Sequence, residues 1–256
     1  MWDYLVFRVP IFFFFGLIFG SFSNALIFRI PSKEYSMTSP RRSFCPHCKH
    51  ELSWKDNLPV ISYIFLGGKC RYCGKPISAR YPFVELLTAV LYALNASLFT
   101  LPGAISISVL STGLIVSSFI DLKHYMIPDL GVILVGVGAF TWSIVEDRFP
   151  LNLVYALLVT GAMVAFFLIA NHVRKDSFGF GDVELLAALS LATGIVGSLY
   201  TIMIASFAAL IVYAINAAAK GKRFDRRAQL PFGPFIAIGG YSTIIFLDFI
   251  EVLYRV

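Results

Sequence analysis

The sequence predicts an all-α polytopic membrane protein of about eight transmembrane helices, with one small metal-binding loop domain outside the bilayer. Three observations predict it. Of 256 residues, 58% are hydrophobic and only 14% charged, whereas a soluble globule carries roughly twice that charged fraction. Apolar runs of about 20 residues, enough helix to cross roughly 30 Å of hydrocarbon, recur along the chain. All four cysteines fall in one segment between the first two runs.

The runs lie at 9–29, 82–99, 103–121, 128–145, 151–171, 183–197, 199–217 and 232–252. The first, which contains Phe12 to Phe15, is expected to be a retained span. No small-residue cleavage site follows its apolar stretch, which continues to Arg29-Ile30-Pro31. Gly16 and Gly20, with Ser21, Ser23 and Asn24, give this span a small-residue face for packing on another helix; contact with a substrate helix is the alternative. The sixth and seventh runs are separated only by Gly197-Ser198. Pro231-Phe232-Gly233-Pro234 makes a rigid entry into the last. There is no internal repeat and no low-complexity linker. The chain divides as 1–31, the first span; 32–81, a cysteine loop; and 82–256, the remaining membrane domain.

Within the loop stand Cys45-Pro-His-Cys48, then 21 residues, then Cys70-Arg-Tyr-Cys73. Two pairs of soft thiolates, each closed by a tight turn, supply the four tetrahedral ligands that Zn2+ prefers. Four protein ligands leave no open position for water, so the metal is expected to be structural. Two disulfides, or four thiols that merely fill space, are the alternatives. His47 and His50 lie beside the thiolates but are not needed. Lys33, Arg41, Arg42, Lys49, Lys55, Lys69, Arg71, Lys75 and Arg80 surround them, and so dense a basic loop is expected on the cytoplasmic side, where disulfides are disfavoured.

The net charge of +6 sits in short connections between apolar runs, which orients a chain in a bilayer and calls for no nucleic-acid partner. With the cysteine loop inside, the inner connections also hold Lys123, Arg174, Lys175, Lys220, Lys222, Arg223, Arg226 and Arg227. The outer ones hold Arg8, Arg148 and Arg255. Seventeen against three places both termini outside.

Carboxylates at the edges of spans need reasons. Asp129, after Ile127-Pro128, is a first-turn acid that the helix dipole favours. Asp121 ends the third run, where the dipole has the wrong sign, and an ion pair with Lys123 is its structural alternative. Asp182 lies in Gly179-Phe180-Gly181-Asp182, a glycine loop opening the sixth run; taken alone it reads as a helix start. Together at one membrane face, Asp121 and Asp182 make a candidate aspartyl dyad. Two adjacent carboxyls do not ionise together easily, so one serves as acid while the other activates water. Glu85, after Arg80-Tyr81-Pro82, is expected to be a first-turn acid near the cysteine loop.

In order, these elements resemble the bacterial type IV prepilin peptidases, membrane aspartyl proteases of the Gly-x-Gly-Asp type. The resemblance covers nearly the whole chain. It runs through Gly20-Ser21-Phe22-Ser23-Asn24 and Arg29-Ile30-Pro31, the paired cysteines around Asp56-Asn57-Leu58-Pro59-Val60, and Gly68-Lys69-Cys70-Arg71. It continues with residues 77–85, Ile120-Asp121, Ile127-Pro128-Asp129, Gly179-Phe180-Gly181-Asp182 and Pro231-Phe232-Gly233-Pro234-Phe235. Ser23, where the family usually has an apolar residue, and Glu184, where Lys is frequent, are departures that bear on substrate preference.

The resemblance implies Asp121 and Asp182 as the catalytic pair and makes 82–256 the peptidase domain. The substrate would be a prepilin or pseudopilin, cut after the Gly that ends its basic leader. The new N-terminal residue would then be methylated from S-adenosylmethionine, an activity associated with the first span and the cysteine loop. Asp56, Lys69, Arg71 and Glu85 are the loop-side candidates for positioning that reaction. The protein would sit in the bacterial inner membrane among lipids; no residue pattern sets an oligomeric state. A proton- or cation-coupled transporter with a zinc-stabilised regulatory loop is the rival reading, and it would call for inverted repeats.

Overall fold

The computed structural model describes residues 2–32, 34–36, 40, 42–173, 179–219 and 230–254. Among them the ordered elements are helices: α1 (Trp2–Arg29), α2 (Ile61–Phe65), α3 (Arg80–Leu98), α4 (Leu101–His124), α5 (Asp129–Val145), α6 (Leu151–Val173), α7 (Phe180–Ala219) and α8 (Gly233–Tyr254), with a single 3-10 turn at Trp54–Asn57. Five of the described helices, α1, α3, α4, α6 and α7, are long and apolar enough to cross a bilayer; α5 and the Gly233–Leu247 part of α8 are shorter apolar segments. The protein is a multi-pass membrane protein. Lys33, Arg41, Arg174, Lys175, Arg255 and the basic run from Lys220 to Arg227, on which much of the charge asymmetry rests, lie outside the described residues.

The chain forms two compact units, 1–108 and 109–256. The division falls inside α4, whereas the sequence suggested a functional boundary near residue 82.

In the first unit α1 packs on α3 through the face that its small residues define. A Cβ on Gly16 would stand 2.5 Å from Ala89 Cα, and one on Gly20 2.7 Å from Glu85 Cα, so only glycine lets the backbones approach this closely. Asn24, buried, donates from Nδ2 to the Tyr81 carbonyl at 2.9 Å and joins the end of α1 to the start of α3. At the other end Arg8 donates to the carbonyls of Ala96 and Phe99. Both carbonyls lie at the α3 C-terminus, where a cation is favoured by the dipole. Arg8 therefore lies within α1 and not in an outer connection, because α1 extends seven residues further than its apolar run.

In the second unit α7 does not run straight. Gly194 adopts φ 62°, ψ −166°, a region that essentially only glycine enters. A straight helix would place Leu189 and Thr201 about 18 Å apart along its axis. Instead Leu189 lies against Gly240, and Thr201 against Gly239. The helix folds back on itself at Gly194, not at Gly197-Ser198. The peptide groups freed by the elbow are answered locally: Asn152 Nδ2 donates to the Leu191 carbonyl at 2.9 Å, and Ser198 Oγ to the Gly194 carbonyl at 2.6 Å. Hydrocarbon offers no water to do this, so such partners are what permit a break.

Candidate active site and metal centre

Asp121 lies three residues before the end of α4, which closes when the Tyr125 N–H bonds the Asp121 carbonyl at 2.9 Å with Tyr125 in the left-handed region. Its side chain is buried, 5% exposed. Lys123 is exposed and, among the described residues, makes no ion pair with it. What holds the carboxylate is the backbone N–H of Gly233, the first residue of α8, 2.8 Å from Oδ2. A Cβ on Gly233 would come within 3.0 Å of that oxygen. The Pro-Phe-Gly-Pro segment, expected only to stiffen the entry to the last helix, therefore supplies a donor to the site. The donor is a backbone N–H, so no side chain in that motif signals it.

Asp182 is the third residue of α7, so it sits within the first turn and not at the cap itself. Its carboxylate accepts a hydrogen bond from the backbone of Gly179 and interacts electrostatically with Asp121. Gly181 packs where a Cβ would stand 2.9 Å from Ile127 Cβ, and so lets the start of α7 approach the α4–α5 connection. Asp121 at the C-terminus of one helix and Asp182 at the N-terminus of another thus lie within electrostatic reach of each other. Asp129, exposed, opens α5 behind Pro128 as a first-turn acid.

The four cysteines also converge. Their Sγ atoms all lie within 4.8 Å of one another, that of Cys45 being 3.9 Å from that of Cys73, and none is in a disulfide. Tetrahedral bonds of about 2.3 Å place sulfurs about 3.8 Å apart, so the cluster fits a metal of that kind. The two halves of the site repeat one local structure. The Cys45 N–H bonds His50 O and the Lys49 N–H bonds Cys45 O; likewise the Cys70 N–H bonds Lys75 O and the Gly74 N–H bonds Cys70 O. Lys49 and Gly74, in corresponding places, both take positive φ. The His50 ring lies against Tyr72, centroids 3.6 Å apart and the planes tilted by 33°, and takes no part in the cluster.

Between the two turns, Asp56 receives Ser53 Oγ at 2.7 Å, the Ser53 N–H at 3.2 Å, Arg71 Nε at 2.7 Å and Tyr72 Oη at 3.2 Å. Burial alone would raise its pKa, but the Ser53 hydroxyl, the Arg71 guanidinium and the Ser53 N–H together outweigh burial and hold it at about 2. Glu85 is buried in the second turn of α3, not the first, because the helix begins at Arg80, two residues before the apolar run. It accepts the Val60 N–H at 2.8 Å and a hydrogen bond from Ser21. Val60 itself sits at φ 61°, an outlier for a β-branched residue. Of the four loop-side candidates, Asp56 and Arg71 are committed to each other, Glu85 to Val60, and Lys69 is exposed.

The chain matches the model of the bacterial peptidase A24 N-terminal domain over residues 14–99 and that of the type IV leader peptidase family over 108–214. It is 38% identical to the type 4 prepilin-like proteins leader peptide-processing enzyme of Escherichia coli, with 90% of each chain covered. It is 34% identical to the prepilin leader peptidase/N-methyltransferase of Xanthomonas campestris, over 88% of this chain and 87% of that one. The protein of the same name from Dichelobacter nodosus is 33% identical, over 91% and 89%. No solved structure matches. The buried Asp121 of α4 with the half-buried Asp182 of α7, the four-cysteine loop and these likenesses along nearly the full length agree: the chain belongs to the type IV leader peptidase family.

Proposed function

We propose that this protein removes the basic leader from type IV prepilins or pseudopilins, after the Gly that ends it, and methylates the new N-terminal residue, with Asp121 and Asp182 as the catalytic pair. The observation that carries the assignment is the buried Asp121 at a helix C-terminus, held by the Gly233 N–H and within electrostatic reach of a second carboxylate on α7. Neither the helix dipole nor an ion pair accounts for that placement. In the reaction one carboxylate takes a proton from water as the other gives its own to the scissile carbonyl oxygen; when the C–N bond breaks, the first passes the water's proton to the leaving amine and the second recovers a proton from the gem-diol as the carbonyl re-forms. The Gly233 N–H keeps one oxygen of Asp121 engaged and leaves the other for this exchange. The substrate's hydrophobic helix lies among the spans and its basic leader stays at the inner face.

The ion we assign to Cys45, Cys48, Cys70 and Cys73 is Zn2+, which would hold the two turns of the loop together without taking part in cleavage. The methyl donor is S-adenosylmethionine, and residues 1–31 and 32–81 are the part we assign to methylation, with 82–256 as the peptidase. The cysteine loop faces the cytoplasm and both termini face the periplasm. The transporter reading is not favoured by the relatives, whose printed names are those of leader peptidases.

The test is to incubate the purified protein with a prepilin and S-adenosylmethionine and to read the product N-terminus by mass spectrometry. Asp121→Asn and Asp182→Asn should each lower cleavage by on the order of 10³-fold with the fold retained, and their effects should not add. Asp129→Asn should keep most of the activity. Asp121→Asn should still methylate a pre-cleaved pilin. Full cleavage by either single variant would reject the pair.

A further inference from the structure

We infer that α2 and the residues around it form an interfacial membrane anchor, by which the cysteine loop dips into the lipid leaflet on its own side of the bilayer. The depth follows from one hydrogen bond. Val60, which caps α2, is tied by its N–H to Glu85 at 2.8 Å. Glu85 lies five residues into α3, about 7.5 Å along the axis from its start at Arg80. That start is itself marked by an interfacial pair, the Arg80 guanidinium over the Tyr81 ring at 5.0 Å. The beginning of α2 is therefore at the level of the apolar part of a membrane-spanning helix, not out in the cytosol with the cysteines.

The side chains α2 presents there are apolar and outward. Ile61, Ile64 and Phe65, which share one helix face, are 49%, 68% and 86% exposed, and Trp54 on the preceding turn is 71% exposed. In water this is an unfavourable surface; at the headgroup–acyl boundary it is the apolar half of an interfacial helix. The polar half is basic. Lys55 and Lys69 are exposed, and Lys55 Nζ lies 5.6 Å from the Trp54 ring centroid. Lysines beside a tryptophan suit anionic headgroups. The same charges disfavour a cationic peptide segment as the occupant. Left-handed Gly67 and Gly68 end the helix and return the chain to the second cysteine pair.

The experiment uses the full-length protein in nanodiscs containing anionic lipid. Trp2→Phe and Trp54→Phe are introduced, and Phe65→Trp is compared with the same background lacking it, so that the difference emission comes from position 65. Lipids brominated either high or low on the acyl chain serve as quenchers. The difference emission should be blue-shifted and quenched by roughly twofold with the shallow bromines, and less with the deep ones. Ile61→Trp in the same background should behave alike, while Lys75→Trp, on the second cysteine turn, should stay unquenched. Emission at the wavelength of water-exposed tryptophan with no quenching at positions 61 and 65 overturns the inference. So does a blue shift that appears only when a prepilin is added, which would make the surface a substrate groove.

Discussion

Replacing Gly233 by Ala tests whether the backbone of α8 aims the Asp121 carboxylate that we propose as catalytic. The new Cβ would stand 3.0 Å from Asp121 Oδ2, 3.3 Å from its Cβ and 3.4 Å from its Cγ, so the carboxyl group must move by a few tenths of an ångström. A misplacement of about 1 Å costs about 10²-fold in rate, so this smaller shift should cost about fivefold in kcat, or about 1 kcal/mol of transition-state stabilisation. Stability should move little, because Ala gains up to about 1 kcal/mol over Gly in a helix and the contact gives some of that back. The assay is the initial rate of leader removal over a range of prepilin concentrations, with thermal unfolding in detergent measured on the same samples. The expected pattern is a lower kcat, an unchanged KM and a nearly unchanged midpoint. Wild-type kcat in Gly233→Ala, or a loss that merely follows the folded fraction, would refute the idea that this backbone N–H positions Asp121.

Cys70→Ser should release the bound metal and loosen residues 45–73, read by elemental analysis and by proteolysis of the loop; wild-type protein purified without any metal would contradict the site. Gly194→Ala should lower stability by about 1–3 kcal/mol, because Ala is strained at that φ and ψ, and an unchanged melting midpoint would mean the elbow is not as described. Topology reporters should place position 222 in the cytosol and position 146 in the periplasm; the opposite result at either position would reverse the assignment.

Much of the site was legible because its residues are chemically expensive where they stand. Four cysteines in two pairs, a carboxylate at the wrong end of a helix and a carboxylate after two glycines each announce themselves in a greasy chain. The pairing of Gly16 and Gly20 with a second helix was legible for the same reason, since small residues four apart serve one face. What could not be read was any partner supplied by backbone. The Gly233 N–H on Asp121 and the Val60 N–H on Glu85 carry no side-chain signature, and both join residues far apart in sequence. The elbow was misplaced by three residues because Gly194 and Gly197 look alike in sequence. Gly197 instead packs beside Thr243 and Leu247, and only Gly194 has the reversed φ. The start of α1 was misread because Arg8 looked like a loop charge; its partners, two carbonyls at the end of α3, lie about ninety residues away.

The elbow in α7 also bears on how the protein can be handled. Its two arms are joined through a single glycine, with Thr193 and Ser198 hydrogen-bonded to each other at 3.2 Å just inside the bend. A connection of one residue has no slack. Tags, reporters or cleavage sites inserted at 193–198 would have to be accommodated by pulling the arms apart, and with them the Leu189 and Thr201 contacts to α8. Fusions at this bend would therefore report damage, not sidedness. Single substitutions at Val196, which is 61% exposed, offer a way to attach a probe at the turn without lengthening it.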